Sequence, residues 1–282
     1  MKLVSFGNPG MERVGVVNER GIVDVTRIDP SLPATMRDVL AQQFIDRIET
    51  IADDADDEFI LDPDSVRLGP PVTNPSKIIC VGLNYRDHAA EQGKEPPEFP
   101  LLFSKGPNVL CGHGDTVPYP AGVEQFDYEA EMAVVIGKVA YQVPQDTAFE
   151  FIAGYMAFND LTARDLQYRE RQWFRAKSVD GGGPSGPWLV TSDEIEDPHA
   201  LDISLKVNGE ELQSSNTREM TFTTDFLVHY ISQTMTLEPG DIIATGTPPG
   251  VGVHRRPQRF LQRGDRITTV IERLGALTVT IG

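Results

Sequence analysis

The sequence predicts an α+β fold that is mostly β, with a small α+β domain at 1–70 ahead of a strand-rich domain at 71–282. Three observations predict it. From residue 77 onward, short apolar, β-branched runs alternate with turn dipeptides. Helical periodicity is confined to a few short stretches. An acidic run, ADDADDEF at 52–59, followed by Pro63, Pro70, Pro71 and Pro75, separates the first sixty residues from the rest.

The N-terminal elements come first. Residues 14–26 (VGVVNERGIVDVT) read as two short strands around the turn Asn18–Gly21. Residues 34–52 have helical spacing, with Met36, Val39, Leu40, Phe44, Ile45 and Ile48 on one side. In the larger domain, KIICVGLNY (77–85) is a buried-strand pattern. TVPYP, YEAEMAVVIGKV, ISLKVNGE, DIIATGT and RITTVIERLGALTVTIG continue the strand-like text. Asn208-Gly209, Pro239-Gly240-Asp241 and Arg263-Gly264-Asp265 punctuate it. Helical text is limited to about 86–92, 146–151, 162–170 and 222–235.

Composition narrows the function. The 282 residues, 40% hydrophobic, suffice for a sizeable core. The net charge of -17 disfavours nucleic acid and anionic membrane surfaces as partners. Basic residues are mostly Arg, 18 against 7 Lys. Cys80 and Cys111 have no metal-ligand spacing and form no disulfide framework, so both are expected to be buried small hydrophobes. The start, MKLVSFGNPG, lacks a signal-peptide pattern, and no run nears the ~20 apolar residues of a membrane helix. A cytoplasmic protein is expected.

Five segments carry candidate chemistry. In Asp127-Tyr128-Glu129-Ala130-Glu131, running into the strand MAVVIG, residues i and i+2 share a face, so Glu129 and Glu131 project side by side. Adjacent carboxylates repel unless a proton or cation lies between them, and hard cations such as Mg²⁺ take such ligands. Taken alone, ExE also suits a solvated edge. In GYMAFNDLTARDLQ (154–167), Asp160 stands at a strand-to-helix junction, where it caps the helix or joins the two glutamates in an open oxygen site. Lys177 precedes the Gly-rich loop of FRAKSVDGGGPSGPWLV; its glycines suit close approach of an anion, but an ordinary surface loop reads the same. There is no GxxxxGK[ST] and no GxGxxG opening a helix.

His88 and Glu91, three apart in GLNYRDHAAEQG, are neighbours if that stretch is helical. A carboxylate beside an imidazole orients it as a general base, although such pairs are also common surface contacts. The histidines at 113, 199, 229 and 254 have no comparable neighbour in sequence. DIIATGTPPGVG (241–252) offers Thr245 and Thr247 with loop amides, suited to a carboxylate or to a plain tight turn. Acyl-enzyme chemistry has no support, because the nucleophile elbow GxSxG does not occur; the zinc motif HExxH is absent as well.

In their order along the chain, NYRDHAAE, YEAEMAVVIGK, YMAFNDLTARDLQ, RAKSVD, VNGE and TGTPPGVG resemble the fumarylacetoacetate hydrolase family over residues 75–282. The resemblance implies that family's β-roll of mixed sheets behind a small N-terminal domain, and a homodimer. It implies Glu129, Glu131 and Asp160 as ligands of Mg²⁺ or Mn²⁺. Lys177 would meet the oxo-acid end of the substrate, Gln167 and Thr247 would contact substrate, and His88 with Glu91 would form a dyad on a mobile lid. The chain departs from many relatives at Gly181-Gly182-Gly183, where they are bulkier, which leaves the substrate open.

The implied activity is hydrolysis of a C–C bond in a 2,4-dioxo acid, acylpyruvate-like or sugar-derived, with release of pyruvate. His88 would activate water, and the pyruvate enolate would be stabilised by the metal and Lys177. Oxaloacetate decarboxylation and 2-oxo-dienoate isomerisation use the same enolate and stand as alternatives. A non-catalytic, metal-stabilised binding protein is the alternative of another class; retention of the dyad, the lysine and all three acids argues against it.

Overall fold

The first seventy residues form strands and helices that add to a larger sheet. The computed structural model describes residues 1–282. β1 (Lys2–Phe6) and β2 (Arg13–Asn18) pair antiparallel, and β2 turns into β3 (Gly21–Val23) with Asn18 opposite Gly21. The Asn18 side-chain oxygen accepts the amides of Arg20 and Gly21, the local bond that makes Asn a turn residue. After the short α1 (Val25–Ile28), residues 34–52 form two helices rather than one: α2 (Met36–Ala41) and α3 (Ile45–Asp53). The chain breaks at Gln43, whose φ of 57° is left-handed. Its amide donates to the carbonyls of Leu40 and Gly137, so a tertiary contact overrides helical periodicity. Met36, Val39, Leu40 and Ile48 are nonetheless buried.

After β4 (Ile60–Leu61), the Pro-rich stretch packs against β1, with the Ser5 hydroxyl donating to the Pro71 carbonyl. Next come β5 (Ile78–Gly82), α4 (Arg86–Glu91), β6 (Leu101–Lys105), β7 (Leu110–Cys111), β8 (Thr116–Val117) and β9 (Phe126–Asp127). The centre of the chain holds β10 (Ala130–Ile136), β11 (Ile152–Asn159), β12 (Thr162–Ala163), α5 (Arg164–Arg169) and α6 (Phe174–Lys177). It ends with β13 (Gly183–Thr191), β14 (Asp202–Val207), β15 (Glu210–Asn216), α7 (Thr224–Ser232), β16 (Ile242–Ala244), β17 (Arg266–Ile271) and β18 (Gly275–Ile281).

The long sheet runs β4-β3-β2-β1-β13-β11-β10-β16-β5-β6, with β7 alongside β13; a second runs β15-β14-β17-β18-β8. The N-terminal strands enter the long sheet through β1, where Leu3 lies opposite Leu189 of β13. Leu3, Val39 and Ile48 accordingly share one core with Ala133, Val135 and Phe158. This is a mixed α+β architecture dominated by strands, as the sequence predicts. β6 and β13 escape the sequence reading: LLFSK is short, and GPSGPWLVT carries two prolines and two glycines that mimic loop text. Cys80 and Cys111 are both buried and unpaired.

Strand β10 positions the site. Its even residues, Met132, Val134 and Ile136, enter the core shared with the second sheet. Its odd residues, Ala133 and Val135, enter the core shared with the N-terminal helices. Following the odd set back to the strand's start leads to Glu131 and then Glu129, on that same face.

Candidate active site

Sheet register brings the three acids together. Ala130 pairs with Asn159, and the Asp160 amide donates to the Glu129 carbonyl at 2.9 Å, so Asp160 stands directly across from Glu129. Residues opposite one another project to the same face, which the i,i+2 alternation extends to Glu131. One carboxylate oxygen from each lies within 4.8 Å of the others. All three are buried, Asp160 completely. Asp160 makes no helix cap here; α5 starts at Arg164, three residues beyond Leu161.

Burying three carboxylates requires compensation. Lys177, at the end of α6 and only 2% exposed, donates to Glu129 at 2.6 Å and to Asp160 at 2.7 Å. The surface-loop reading of Lys177 is therefore wrong. Lys105, equally buried at the end of β6, donates to the other Asp160 oxygen at 2.5 Å. Arg164 bridges Glu129 at 2.6 Å and Asp127 at 2.8 Å, and also donates to Gln167 at 3.0 Å. Asp127 in turn accepts the amides of Gly252 and Val253, which fixes the loop after β16.

Glu131 is left without a cation. Its one polar contact is the Gly246 amide, at 2.9 Å. Gly246 has φ +95°, and a Cβ there would lie 2.9 Å from both the Val81 carbonyl oxygen and the Asn84 Cβ, so only glycine fits. Burial, then Asp160 and Glu129, push the Glu131 carboxyl well above the usual carboxylate range. Burial also acts on Glu129, but Arg164 and Lys177 more than offset it and hold that carboxyl well below the usual range. Burial disfavours the Lys177 ammonium, yet Asp160 and Glu129 outweigh it and keep the lysine charged.

Arg164 is shared with Asp127, so three carboxylates face two lysines and one negative charge remains. A divalent cation among the three oxygens would supply the missing partner and reverse the pressure on Glu131 to hold a proton. An all-carboxylate donor set suits a hard ion of the Mg²⁺ or Mn²⁺ kind.

Beside the triad is a cavity of about 250 Å³, room for roughly eight waters by liquid volume. His88, Gln167, Lys177 and Thr247 all line it. Glu91 does not, but it orients His88: its carboxylate accepts from His88 Nδ1 at 2.9 Å and is itself held by the Gly250 amide at 2.9 Å. Burial raises the Glu91 carboxyl, and the His88 and Gly250 hydrogen bonds bring it below its ordinary value. With Nδ1–H given to Glu91, Nε2 carries the lone pair, and there it accepts from the Gln92 amide at 2.9 Å. The Thr247 hydroxyl accepts from Gln213 at 2.9 Å.

The Thr245 hydroxyl is buried and donates to the Met132 carbonyl at 2.8 Å instead. The structure thus gathers the triad, the His88–Glu91 pair, Lys177, Gln167 and Thr247 in one place. Four more lie there that sequence reasoning missed. Arg164 and Asp127 had a signal: Arg164 falls between Asp160 and Gln167 in sequence, and Asp127 stands two residues before the first glutamate of the ExE run. His254 also lines the cavity, its ring 6.0 Å from that of His88. Lys105, a lone lysine ending a short strand, offered none.

Comparison with known proteins agrees with this geometry. The model of the fumarylacetoacetate (FAA) hydrolase C-terminal family matches residues 77–282. The oxaloacetate tautomerase Fahd2a, mitochondrial, of Rattus norvegicus is 43% identical over 98% of this chain and 90% of its own length. The fumarylacetoacetate hydrolase structure from psychrophilic Exiguobacterium antarcticum superposes with a TM-score of 0.83 at 36% identity, covering 100% of this chain and 99% of that one. Maleylpyruvate hydrolase from Sphingobium sp. SYK-6, solved with manganese(II) and pyruvate, superposes with a TM-score of 0.82 at 31% identity, covering 100% and 98%. No helix of this chain is long and apolar enough to cross a membrane. With the match running from β5 to the C-terminal residue and enclosing the triad, Lys177 and the His88–Glu91 dyad, the chain is an enzyme of the fumarylacetoacetate hydrolase family.

Proposed function

We propose that this enzyme interconverts the enol and keto forms of a 2-oxo dicarboxylic acid of the oxaloacetate type, with Glu129, Glu131 and Asp160 holding a Mg²⁺ or Mn²⁺ ion. The observation that carries the reading is Glu131: a buried carboxylate with one N–H donor, no cation, and two carboxylates beside it. Such a cluster is stable only with a proton or a cation at its centre. The near full-length likeness to an oxaloacetate tautomerase supports the choice of reaction.

When bound, the ion supplies Lewis-acid polarisation of the 2-oxo group and a template for the adjoining carboxylate. The protein's own groups do the rest. Glu91 fixes the tautomer of His88, so that Nε2 is the proton acceptor at the cavity wall. His88 Nε2 takes the proton from C3, and the electron pair moves into the 2-oxo group. Lys177 stabilises the negative charge that develops on that oxygen. The oxygen then takes a proton from solvent to complete the enol while the His88 imidazolium gives its own up; in the reverse direction the enol O–H releases its proton to solvent and the imidazolium delivers a proton to C3. Gln92, which holds Nε2 in the structure, yields that position to substrate.

Enol-form oxaloacetate, followed by loss of its ultraviolet absorbance, tests the reading. Mg²⁺-loaded enzyme accelerates the loss, chelator abolishes the effect, and pyruvate does not accumulate at a matching rate. No acceleration with any divalent ion refutes it.

Cleavage of a 2,4-dioxo acid to pyruvate is the second reading, favoured by the maleylpyruvate hydrolase solved with manganese and pyruvate. There His88 would activate water, and pyruvate release from an acylpyruvate, lost in His88→Ala, would establish it. Decarboxylation would show as pyruvate formed from oxaloacetate.

A further inference from the structure

The cavity holds a second set of nitrogen groups that the reaction above does not use. Its buried cations are committed: Lys177 lies between Glu129 and Asp160, and Arg164 between Asp127 and Glu129. Lys94 and His254 also line the cavity, and neither has a carboxylate partner within ion-pair distance. Lys94 donates to the neutral side-chain oxygen of Gln92 at 2.8 Å. The ring nitrogens of His254 make no hydrogen bond within the chain, while its position is fixed. Its backbone amide donates to Val251 at 3.1 Å, and the preceding residues, Gly252 and Val253, are tied to the buried Asp127 carboxylate. The order Lys94–Gln92–His88–His254 therefore runs along one wall, through the proposed base.

Charge balance says what that wall receives. The triad with its two lysines carries one net negative charge. A divalent ion makes that one positive, which a single 2-oxo carboxylate neutralises. A second carboxylate on the substrate would find every buried cation already paired, inside a protein whose net charge of -17 repels it. We infer that His254 and Lys94 form the subsite for the distal carboxylate of the substrate, with His254 as the residue that selects 2-oxo dicarboxylates over 2-oxo monocarboxylates. The inference rests on the proposed 2-oxo acid chemistry. His254 suits the role because its backbone is anchored, its ring lies beside that of the proposed base, and its ring nitrogens are free to donate an N–H to the carboxylate. Lys94 is exposed and flexible and contributes less.

Binding to the Mg²⁺-loaded enzyme tests this without depending on turnover. Trp173 lines the cavity and reports occupancy by fluorescence. Oxalate, which can chelate the ion but has no distal group, is compared with oxaloacetate. In His254→Phe, oxaloacetate affinity falls about tenfold, as for a lost hydrogen bond to a charged group, while oxalate affinity stays within about twofold. His254→Gln, which keeps an N–H donor, restores most of the loss, and Lys94→Met costs about two- to threefold. Unchanged oxaloacetate affinity in His254→Phe, or an equal loss for oxalate, overturns the subsite. Failure of the wild type to accelerate enol loss would instead overturn the proposed reaction, and leave the binding comparison standing.

Discussion

Replacing Glu131 by Gln should move stability in opposite directions with and without metal. Without metal, Glu131 must either carry its charge beside two carboxylates or take up a proton at a free-energy cost, with one amide as support. Glutamine keeps the shape and the oxygen that accepts the Gly246 N–H, and it removes the repulsion. Relief of an uncompensated buried group is worth about 1–3 kcal/mol. At about 2 °C per kcal/mol for a chain of this size, Glu131→Gln in chelator melts roughly 2–6 °C above the wild type. With metal the order reverses. An ion present at about 100 times its Kd stabilises the wild type by ~2.7 kcal/mol, or roughly 5 °C. The variant has lost one of three charged ligands and shows little of that gain. Calorimetric melting of both proteins in chelator and in excess Mg²⁺ reads all four values. A variant that melts well below the wild type in chelator, or that responds to Mg²⁺ in full, refutes the account of this residue.

The remaining predictions concern the groups around it. Lys177→Met leaves Glu129 and Asp160 facing each other with less compensation, so metal-free stability falls by about 3–5 kcal/mol and excess Mg²⁺ recovers part of it; unchanged melting in chelator would contradict the ion pairs. Gly246→Ala forces a left-handed backbone and a clash with the Val81 carbonyl, costing about 1–3 kcal/mol and reducing activity, because the amide that holds Glu131 moves; wild-type melting and turnover would show the glycine to be dispensable. The segment 82–100 contributes few buried side chains beyond Tyr85, His88 and Ala89, so its amides exchange fast in the free enzyme and slow on oxalate binding as it closes over the cavity; equal exchange with and without oxalate argues against a lid.

Much of the site was legible in the sequence because strand geometry is. The period of two puts Glu129 and Glu131 on one face, and Asp160 ends the strand that pairs with theirs. The His88–Glu91 spacing needed only one helical turn, which α4 supplies. What remained hidden depended on distant pairings. Lys105 reaches Asp160 because β6 pairs with β5 across the long sheet, a register that no local pattern encodes. His254 meets His88 because Asp127 gathers the amides of Gly252 and Val253 from 125 residues away. The break at Gln43 follows from its bond to the Gly137 carbonyl, 94 residues distant, which helical periodicity cannot anticipate. The N-terminal strands likewise join the long sheet through β13, whose prolines and glycines read as loop.

Manganese located by anomalous scattering tests the central claim most directly. In crystals of the enzyme grown with Mn²⁺ and oxalate, the account predicts one strong peak, within about 2.0–2.3 Å of a carboxylate oxygen from each of Glu129, Glu131 and Asp160, with oxalate completing the shell and Lys177 displaced from at least one of its two carboxylates. A peak at any other place, or none at millimolar Mn²⁺, would contradict it.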